Sequence, residues 1–504
     1  MIITKTTFTS TKLSKRSPSL FAIFLALITC SLHAQPYNST VTGPVAPSAA
    51  AMSFGKYADL PLDPASGTMA ISIPLFGLSE GPLSHTISIS NHLGAVRPSE
   101  IASNIGLGWN LNAGGVISRT VRGIPDDTNK NGNEQGYYWS GIDLFHPGQA
   151  PQARDSYDGK IDSETDIFFF NINGIASKFI IDASRKIIQI PKSDLLITCN
   201  TPGSDGFTNF TIVTPDGTKY FFGSTSTSTN SPYRQRVKVN GGDFYNETWF
   251  LRKIQSYDNK HDIDFNYTDN AYKYRSNPEC TVTMWNDGSI QEDENCPTDP
   301  IKIEVDGRII SSITSATGTI TFVNSLRFDL EIYQSSSGKR IKSIEFDDNY
   351  RCYKYDLTQD YFYHDGNNRA TSTALKLEKI QRKSCDNTES EPPYLFDYIG
   401  QPFYDSQAGV FVQPFANRLT RAIDHWNYYN GKTANIALDN NIPNSNIAVG
   451  SNTFTYGSAD RSVDLASTKI GALEKVTYPT GGHTIIDYEN HDYEDAISGR
   501  QVVV

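Results

Sequence analysis

Ala70-Ile71-Ser72-Ile73-Pro74-Leu75 and Thr86-Ile87-Ser88-Ile89-Ser90 each set isoleucine on one side and serine or threonine on the other. Successive side chains of an extended strand point to opposite faces, so this alternation gives one apolar and one polar face. The same period returns at residues 166–172 (DIFFFNI), 178–181, 186–190, 210–213, 219–222, 263–267 and 301–305. It continues at 320–322, 341–346, 375–377 and 484–488. Turn formers lie between the runs: Asn173-Gly174, Pro215-Asp216-Gly217, Asp306-Gly307 and Thr480-Gly481-Gly482. Short alternating runs joined by such turns predict antiparallel meanders. No long stretch keeps a 3.6-residue apolar period, and one helical turn near residues 100–105 is the most helix expected. The chain reads as all-β, with short strands in extended stacked sheets. Residues 270–300 and 347–372 are polar and irregular, and insertion loops are expected there.

The 504 residues carry 44 Lys and Arg against 55 Asp and Glu, a formal charge of −11. Nucleic-acid binding relies on concentrated basic side chains, so this balance argues against such a partner. A hydrophobic content of 38% excludes a wholly disordered chain. Tyr (27) and Phe (26) far outnumber Met (4), which suits pleated surfaces.

Lys5, Lys12, Lys15 and Arg16 precede the apolar run LFAIFLALI, which is followed by TCSLHAQ. Spanning a bilayer takes ~20 apolar residues, so this run is too short. The order basic, apolar, small predicts a secretory signal over residues 1–34, cut between Ala34 and Gln35. A secreted or cell-surface protein without a transmembrane segment in its mature chain is therefore expected. The alternative is a lipoprotein box at Leu27-Ile28-Thr29-Cys30, in which Thr29 stands where Gly or Ala is wanted. Loss of the signal removes four positive charges and deepens the net charge to −15.

Export makes disulfides available to the five remaining cysteines. Cys280 and Cys296 bracket a polar, acidic loop and form one expected pair, Cys352 and Cys385 a second, and Cys199 is left as a buried thiol. No CxxC or spaced His cluster suggests a metal site. The mature chain divides into a flexible lead-in (35–52), a leading β segment with a Gly/Trp corner (53–125), a β region (126–270), a second with insertion loops (271–400) and a final β segment (401–504).

Three stretches hold candidate chemistry. Asp127-Thr128-Asn129-Lys130-Asn131-Gly132 opens like a calcium loop, with oxygen side chains at Asp127, Asn129 and Asn131. The usual acidic ligand at the loop's end is replaced by Tyr138, so a solvated turn competes with calcium, and no cofactor is expected. The stretch DSYDGKIDSETD over residues 155–166 carries five acids and one Lys and reads as a solvated acidic loop, with calcium binding as the alternative. Asp424-His425-Trp426 with Tyr428-Tyr429 pairs a candidate base with a candidate sugar-stacking platform. In Gly106-Leu107-Gly108-Trp109, the glycines allow close backbone approach or positive φ beside an indole that fills the core.

Four blocks share a resemblance. The first is Phe54-Gly55-Lys56-Tyr57 and Ile71-Ser72-Ile73-Pro74-Leu75, followed by EIASNIGLGWNLNAGGVISR over residues 100–119. The second joins DIFFFNI to Thr214-Pro215-Asp216-Gly217-Thr218-Lys219-Tyr220. The third is Asn417-Arg418-Leu419 with Asp424-His425-Trp426-Asn427-Tyr428-Tyr429, and the fourth is Ala459-Asp460-Arg461 with Thr477-Tyr478-Pro479-Thr480-Gly481-Gly482. Together they resemble the N-terminal half of large secreted RHS/YD-repeat proteins of Bacteroidetes type. The resemblance implies a β-sheet shell that encloses or presents a variable C-terminal domain, often a toxin, or serves at the cell surface. The repeat signature itself is missing, since Tyr257-Asp258-Asn259-Lys260 and Tyr355-Asp356-Leu357-Thr358 do not complete it. The expectation is a fragment acting as a non-enzymatic scaffold, shell base or surface-interaction region. Its partners would be its own repeat and effector region or extracellular ligands. The alternative is a secreted carbohydrate-binding or glycoside-cleaving β protein using Trp109, Trp249, Trp426, Tyr428 and Tyr429.

Overall fold

The structure is a computed structural model. It describes residues 70–503 except 131–133, 143–153, 157, 225–230, 279–281, 285–289, 293–298, 364–368, 401–402, 406–409, 413, 436–441, 444, 450–451, 491 and 495–500. The expected signal, its Ala34/Gln35 cut, Cys30, the lead-in, Asn131 and the Cys280–Cys296 pair all lie outside the described residues.

β1 (Ala70–Glu80) and β2 (Leu83–His92) form a hairpin, and β3 (Trp109–Asn112) pairs with β2 to complete a three-stranded sheet. Its faces follow the alternation: Ile73, Leu78, Ile87, Ile89 and Trp109 are buried, whereas Ser72, Thr86 and Asn112 are exposed. A second, much larger antiparallel sheet begins with β4 (Val116–Thr120), β5 (Ile167–Ile172), β6 (Ile175–Ile181) and β7 (Ile187–Ile190). It continues through β8 (Leu196–Cys199), β9 (Asn209–Val213), β10 (Lys219–Gly223), β11 (Arg234–Val239), β12 (Tyr245–Gln255) and β13 (Asp262–Ser276). A separate hairpin of β14 (Val282–Met284) and β15 (Ile290–Glu292) intervenes. The large sheet resumes with β16 (Ile301–Ser315), β17 (Gly318–Leu326), β18 (Lys339–Asp347), β19 (Cys352–Tyr363), β20 (Thr373–Ser384) and β21 (Tyr394–Tyr398).

Two small hairpins follow, β22 (Phe403–Asp405) with β23 (Val410–Val412) and β24 (Ser445–Val449) with β25 (Asn452–Tyr456). β26 (Leu473–Thr477) then pairs with β21, and β27 (His483–Ile485) pairs with β26. β28 (Asp492–Glu494) and β29 (Gln501–Val503) pair with each other. The described helices in named elements are single turns, Tyr137–Ser140, Arg369–Ser372 and Leu465–Thr468. The all-β expectation is met.

β12 is the hub of the large sheet. In its first half Thr248 lies between Gln235 of β11 and Ser118 of β4. In its second half Lys253 lies between Phe221 of β10 and Asp264 of β13. β16 runs the length of β13 and also pairs with β11, so β11, β12, β13 and β16 close a hydrogen-bonded circuit. Register shifts at Gln235/Arg236 and Phe221/Phe222 accompany this closure, as expected where a bulge bends and twists a strand. Asn173 and Gly174, both at positive φ (45° and 88°), make the two-residue turn between β5 and β6.

The core beneath β5, β6, β9 and β12 is aromatic. Phe168 stacks on Phe179 at 5.0 Å, and Phe210 meets Trp249 edge-on at 4.9 Å. The Gly/Trp corner sits elsewhere in the same apolar cluster. Trp109 Nε1 donates to the Tyr398 hydroxyl at 2.8 Å, and that hydroxyl donates to the Leu377 carbonyl at 2.5 Å. Gly108 is at φ 75°, and a Cβ on Gly106 would meet the Leu377 backbone nitrogen at 2.9 Å. Both reasons for glycine apply, and the indole is core as expected.

Several local expectations differ from the structure. Residues 100–105 form no helix, because Ser103 Oγ accepts from the amides of Ile105 and Gly106 and holds an irregular turn. Asp306-Gly307 is no turn but lies inside β16. A Cβ at Gly307 would come within 2.7 Å of the Asn270 carbonyl, so this glycine permits close strand approach. Residues 347–372 hold the twelve-residue strand β19, paired on both sides with β18 and β20. The segment boundary drawn at residue 270 falls inside β13, and the described residues belong to one compact unit. Cys352 and Cys385 are joined by a disulfide at the open end of the β19–β20 hairpin, and Cys199 is a free, partly buried thiol. Burial pushes the Cys199 thiol up to about 11.

Candidate functional site

The Arg119 side chain, on β4, is fully buried beside the ring faces of Trp249, Tyr245 and Phe168, with centroids 5.5–6.0 Å from its guanidinium. Its Nη1 donates to Asp127 Oδ1 at 2.6 Å and lies 3.4 Å from Asp166 Oδ2, while Nη2 donates to the Asn246 carbonyl. Asp126 and Asp166 clasp each other through their backbones. The Asp126 amide donates to Asp166 Oδ2 at 2.9 Å, and the Asp166 amide donates to Asp126 Oδ1 at 3.1 Å. The Arg122 amide donates to the remaining Asp166 oxygen at 2.9 Å. Three carboxyls therefore surround one guanidinium out of water.

Burial, followed by the charge of Asp166, holds Asp126 well above the usual carboxylate range. Burial likewise pushes Asp166 up to about 7 against the pull of Arg119. Burial pushes nearby Asp162 up to about 6, although the amides of Ile124 and Glu164 donate to it. Burial alone would weaken the hold of Arg119 on its proton, but the facing Asp127 and Asp166 outweigh it.

This geometry revises two expectations. Asp127 does not head an outward-facing loop: one oxygen takes the Arg119 guanidinium and the other the Phe207 amide at 2.7 Å. Gly206 makes the second contact possible, since a Cβ there would sit 2.1 Å from Asp127 Oδ2. Asn129 lines a cavity of about 380 Å³ together with Lys130, Arg234, Arg236 and Asp243, and Lys130 pairs with Glu134 and Asp243. Among the described residues, no group of three His, Cys, Asp or Glu side chains is placed to hold a metal ion, and Asn131 of the expected calcium loop lies outside them. The acidic stretch 155–166 is not solvated throughout, because Asp162 and Asp166 turn inward as backbone acceptors. Sequence reading missed the role of Arg119. Its available signal was a charge following the inward-reading Val116-Ile117-Ser118.

The aromatic candidates do not converge. Trp109 and Trp249 are buried on separate strands, and the Trp249 indole nitrogen donates to the Phe207 carbonyl at 2.8 Å. Trp426 is 43% exposed, while Tyr428 and Tyr429 are half-buried. Asp424 is buried, and its Oδ1 accepts from the amides of Trp426 and Tyr428, so it shapes its own turn.

A second charge cluster has the opposite bias. Asp329 is fully buried and takes Arg327 in a fork, Nε to Oδ1 at 2.7 Å and Nη2 to Oδ2 at 2.6 Å. It also accepts from the Leu375 amide at 2.9 Å. Arg418, also buried, donates to the Asp329 and Ala370 carbonyls. Burial would raise the Asp329 carboxyl, but Arg327 and then Arg418 hold it below the usual range. Burial, with Arg327 adding to it, brings Arg418 down to about 10 although Asp329 opposes the shift.

A cavity of about 650 Å³ is lined by residues of β2 and β3 and by residues of β11, β13 and β16. Its lining mixes apolar side chains such as Ile105, Ile309 and Ile341 with the polar Ser88, Ser90, Asn110 and Asn112, and it includes Arg308 and Arg327.

The fold and these sites define an all-β protein with two buried charge clusters and a cavity of mixed lining. The chain matches no family model and no curated protein. Among solved structures it overlaps "Crystal Structure of TcdB2-TccC3" at 11% identity and a TM-score of 0.33, over 68% of this chain and 17% of that one. The overlap with "Crystal Structure of TcdB2-TccC3-Cdc42" is 11% identity and 0.33, over 67% of this chain and 16% of that one. The chain thus spans well under a fifth of those chains. An overlap of that depth does not assign a fold family, and the all-β class rests on the strand pairing of this chain.

Proposed function

We propose that this chain is an exported, non-enzymatic wall segment, the leading part of an RHS-type β shell whose own later repeats would extend it. The observation that carries this reading is the closed circuit of β11, β12, β13 and β16, to which β4, β10 and β17 add by strand pairing. In both buried charge clusters most polar atoms bond to each other and to backbone groups, which suits holding loops to a wall. At the far margin, β27 pairs only with β26 among the described residues, and Ile485 on it is 61% exposed. A following hairpin could add to that edge by ordinary strand pairing and cover the exposed side chain. The four sequence blocks resembling RHS/YD-repeat proteins support the same reading. The test is turnover by purified residues 35–504 on panels of polysaccharides and peptides. A wall cleaves none of them. Cleavage that one acidic substitution abolishes would overturn the proposal.

A further inference from the structure

We propose that His85 is an acid-operated pin: as a neutral imidazole it fastens the closed end of the β1–β2 hairpin to the large sheet, and taking up a proton loosens that end. The proposal goes beyond the wall reading and does not depend on it. Among the described residues, the β1–β3 sheet shares no strand ladder with the large sheet. Single side-chain bonds from three turns reach the hairpin end instead. Thr317 Oγ1 of the β16–β17 turn donates to the Ser79 carbonyl at 2.9 Å, and Asn173 Nδ2 of the β5–β6 turn donates to the Ser84 carbonyl at 3.3 Å. His261 Nδ1 of the β12–β13 turn lies 3.1 Å from Glu80 Oε1. Beneath these ties His85 shares the buried face of β2 with Leu83 and Ile87, opposite the buried Leu78 of β1.

What this ring can do depends on its proton count. His85 is 3% exposed, and its Nε2 lies 3.0 Å from the Ala113 carbonyl. A carbonyl only accepts, so Nε2 carries the hydrogen and Nδ1 is a bare acceptor. Nδ1 is buried and has no hydrogen-bond partner. A second proton would create a charged N–H with nothing to receive it. The adjoining Phe265 ring of β13 stands perpendicular to the imidazole at 5.2 Å and has no lone pair to offer. A charged donor left unmet in the core costs far more than a neutral ring with a bare acceptor. Burial accordingly lowers the proton affinity of His85, and the bond to Ala113 opposes this without cancelling it.

The charged and titratable groups on the elements packed around this end have other partners. Glu80 pairs with His261 at the hairpin tip. Asp262 and Asp264 of β13 lie 2.7 and 3.4 Å from Lys253 Nζ, and the Tyr267 hydroxyl donates to the Leu251 carbonyl at 2.9 Å. None of them gives Nδ1 a partner. Because the folded protein lowers the proton affinity of His85, its contribution to holding the hairpin is complete above about pH 6.5. That contribution is lost as pH falls below this value toward the lower folded one. Opening of the hairpin end would bare Leu78, Leu83 and Ile87, which are buried in the closed form.

Native-state amide hydrogen exchange of the purified chain at pH 5 and pH 8, divided by the intrinsic rate at each pH, tests the pin. Protection of residues 78–87, taken relative to that of β12, is expected to fall about tenfold or more from pH 8 to pH 5. His85→Gln keeps a donor for the Ala113 carbonyl but takes up no proton, and its protection should change little between the two pH values. His261→Gln removes the other imidazole at the hairpin end and should keep the wild-type fall. Should His85→Gln fail to fold, NMR of the wild type decides. The His85 ring signals should then shift at a lower pH than those of an imidazole in the urea-unfolded chain. The proposal is overturned if wild-type protection does not fall, if His85→Gln falls as far as the wild type, or if His261→Gln abolishes the fall. A His85 ring that titrates as it does in the unfolded chain would overturn it equally.

Discussion

Arg119 sits among three buried carboxyls, whereas Asp329 sits between two buried arginines. Both clusters pin irregular chain to strands. The first ties the loop before Tyr137–Ser140 to β4 and β5, and the second ties the chain around Arg418 to β20. Their charge bias is opposite, and so is their response to protons. Excess buried carboxylate can be relieved by taking up protons, so the Arg119 cluster adapts within the ordinary pH range. The Asp329 cluster has no such relief, since guanidinium stays charged there. One cluster is a pH-sensitive clamp and the other a fixed one.

The largest expected effect comes from the fixed clamp. Asp329→Asn keeps an acceptor for the Leu375 amide but leaves Arg327 and Arg418 without their counter-charge. Removing one partner of a buried pair typically costs ~3–5 kcal/mol. The loss should be equal at pH 5 and pH 8, measured by urea unfolding. Asp329 is held below its unfolded value, so its contribution is present above about 4 and is lost only as pH falls through the lower folded value. A loss that differs between pH 5 and pH 8 would break the contrast.

Arg119→Met tests the other side. Removal of the guanidinium strands three carboxyls, with a loss of ~3–5 kcal/mol at pH 8. At pH 5 the loss should be clearly smaller, because protonation neutralises the carboxyls left behind. Equal losses at both pH values would show that charge bias does not govern this cluster.

The smallest effect is the most specific. Asp162 and Asp166 are raised to about 6 and about 7, above their unfolded values. Such groups contribute stability that is fully present below about 4 and is lost as pH rises through 6 to 7. Asp126→Asn keeps the acceptor for the Asp166 amide and can donate to Thr165 Oγ1 in place of the present bond. It also removes the repulsion between the two carboxyls. Its melting temperature should therefore fall less than that of the wild type between pH 5 and pH 8. A parallel decline would remove Asp126 from the clamp.

Much of this fold was legible because period-2 alternation survives wherever one face is buried. DIFFFNI became β5 with strictly alternating burial, and Asn173-Gly174 became its turn. Legibility failed where letters have two physical uses. Gly307 is a glycine for close approach inside β16, although Asp-Gly also marks turns. β19 looked like a loop because Cys352–Tyr363 is polar and mostly half-buried, its pairing supplied by β18 and β20 rather than by an apolar face. The charge clusters were less legible still. Arg119, Asp126 and Asp166 come from three separate stretches, and a buried ion network leaves no periodic mark. Asp127 was singled out for its spacing to Asn129 and Asn131, but its carboxylate serves Arg119.

β12, shared among β4, β10, β11 and β13, is the hub of the large sheet. Native-state amide hydrogen exchange across the purified chain tests it most directly. The account predicts the slowest exchange in β12 and its circuit partners β11, β13 and β16, with faster exchange at β7 and β27. Exchange in β12 as fast as in β27 would contradict the hub and the wall reading built on it.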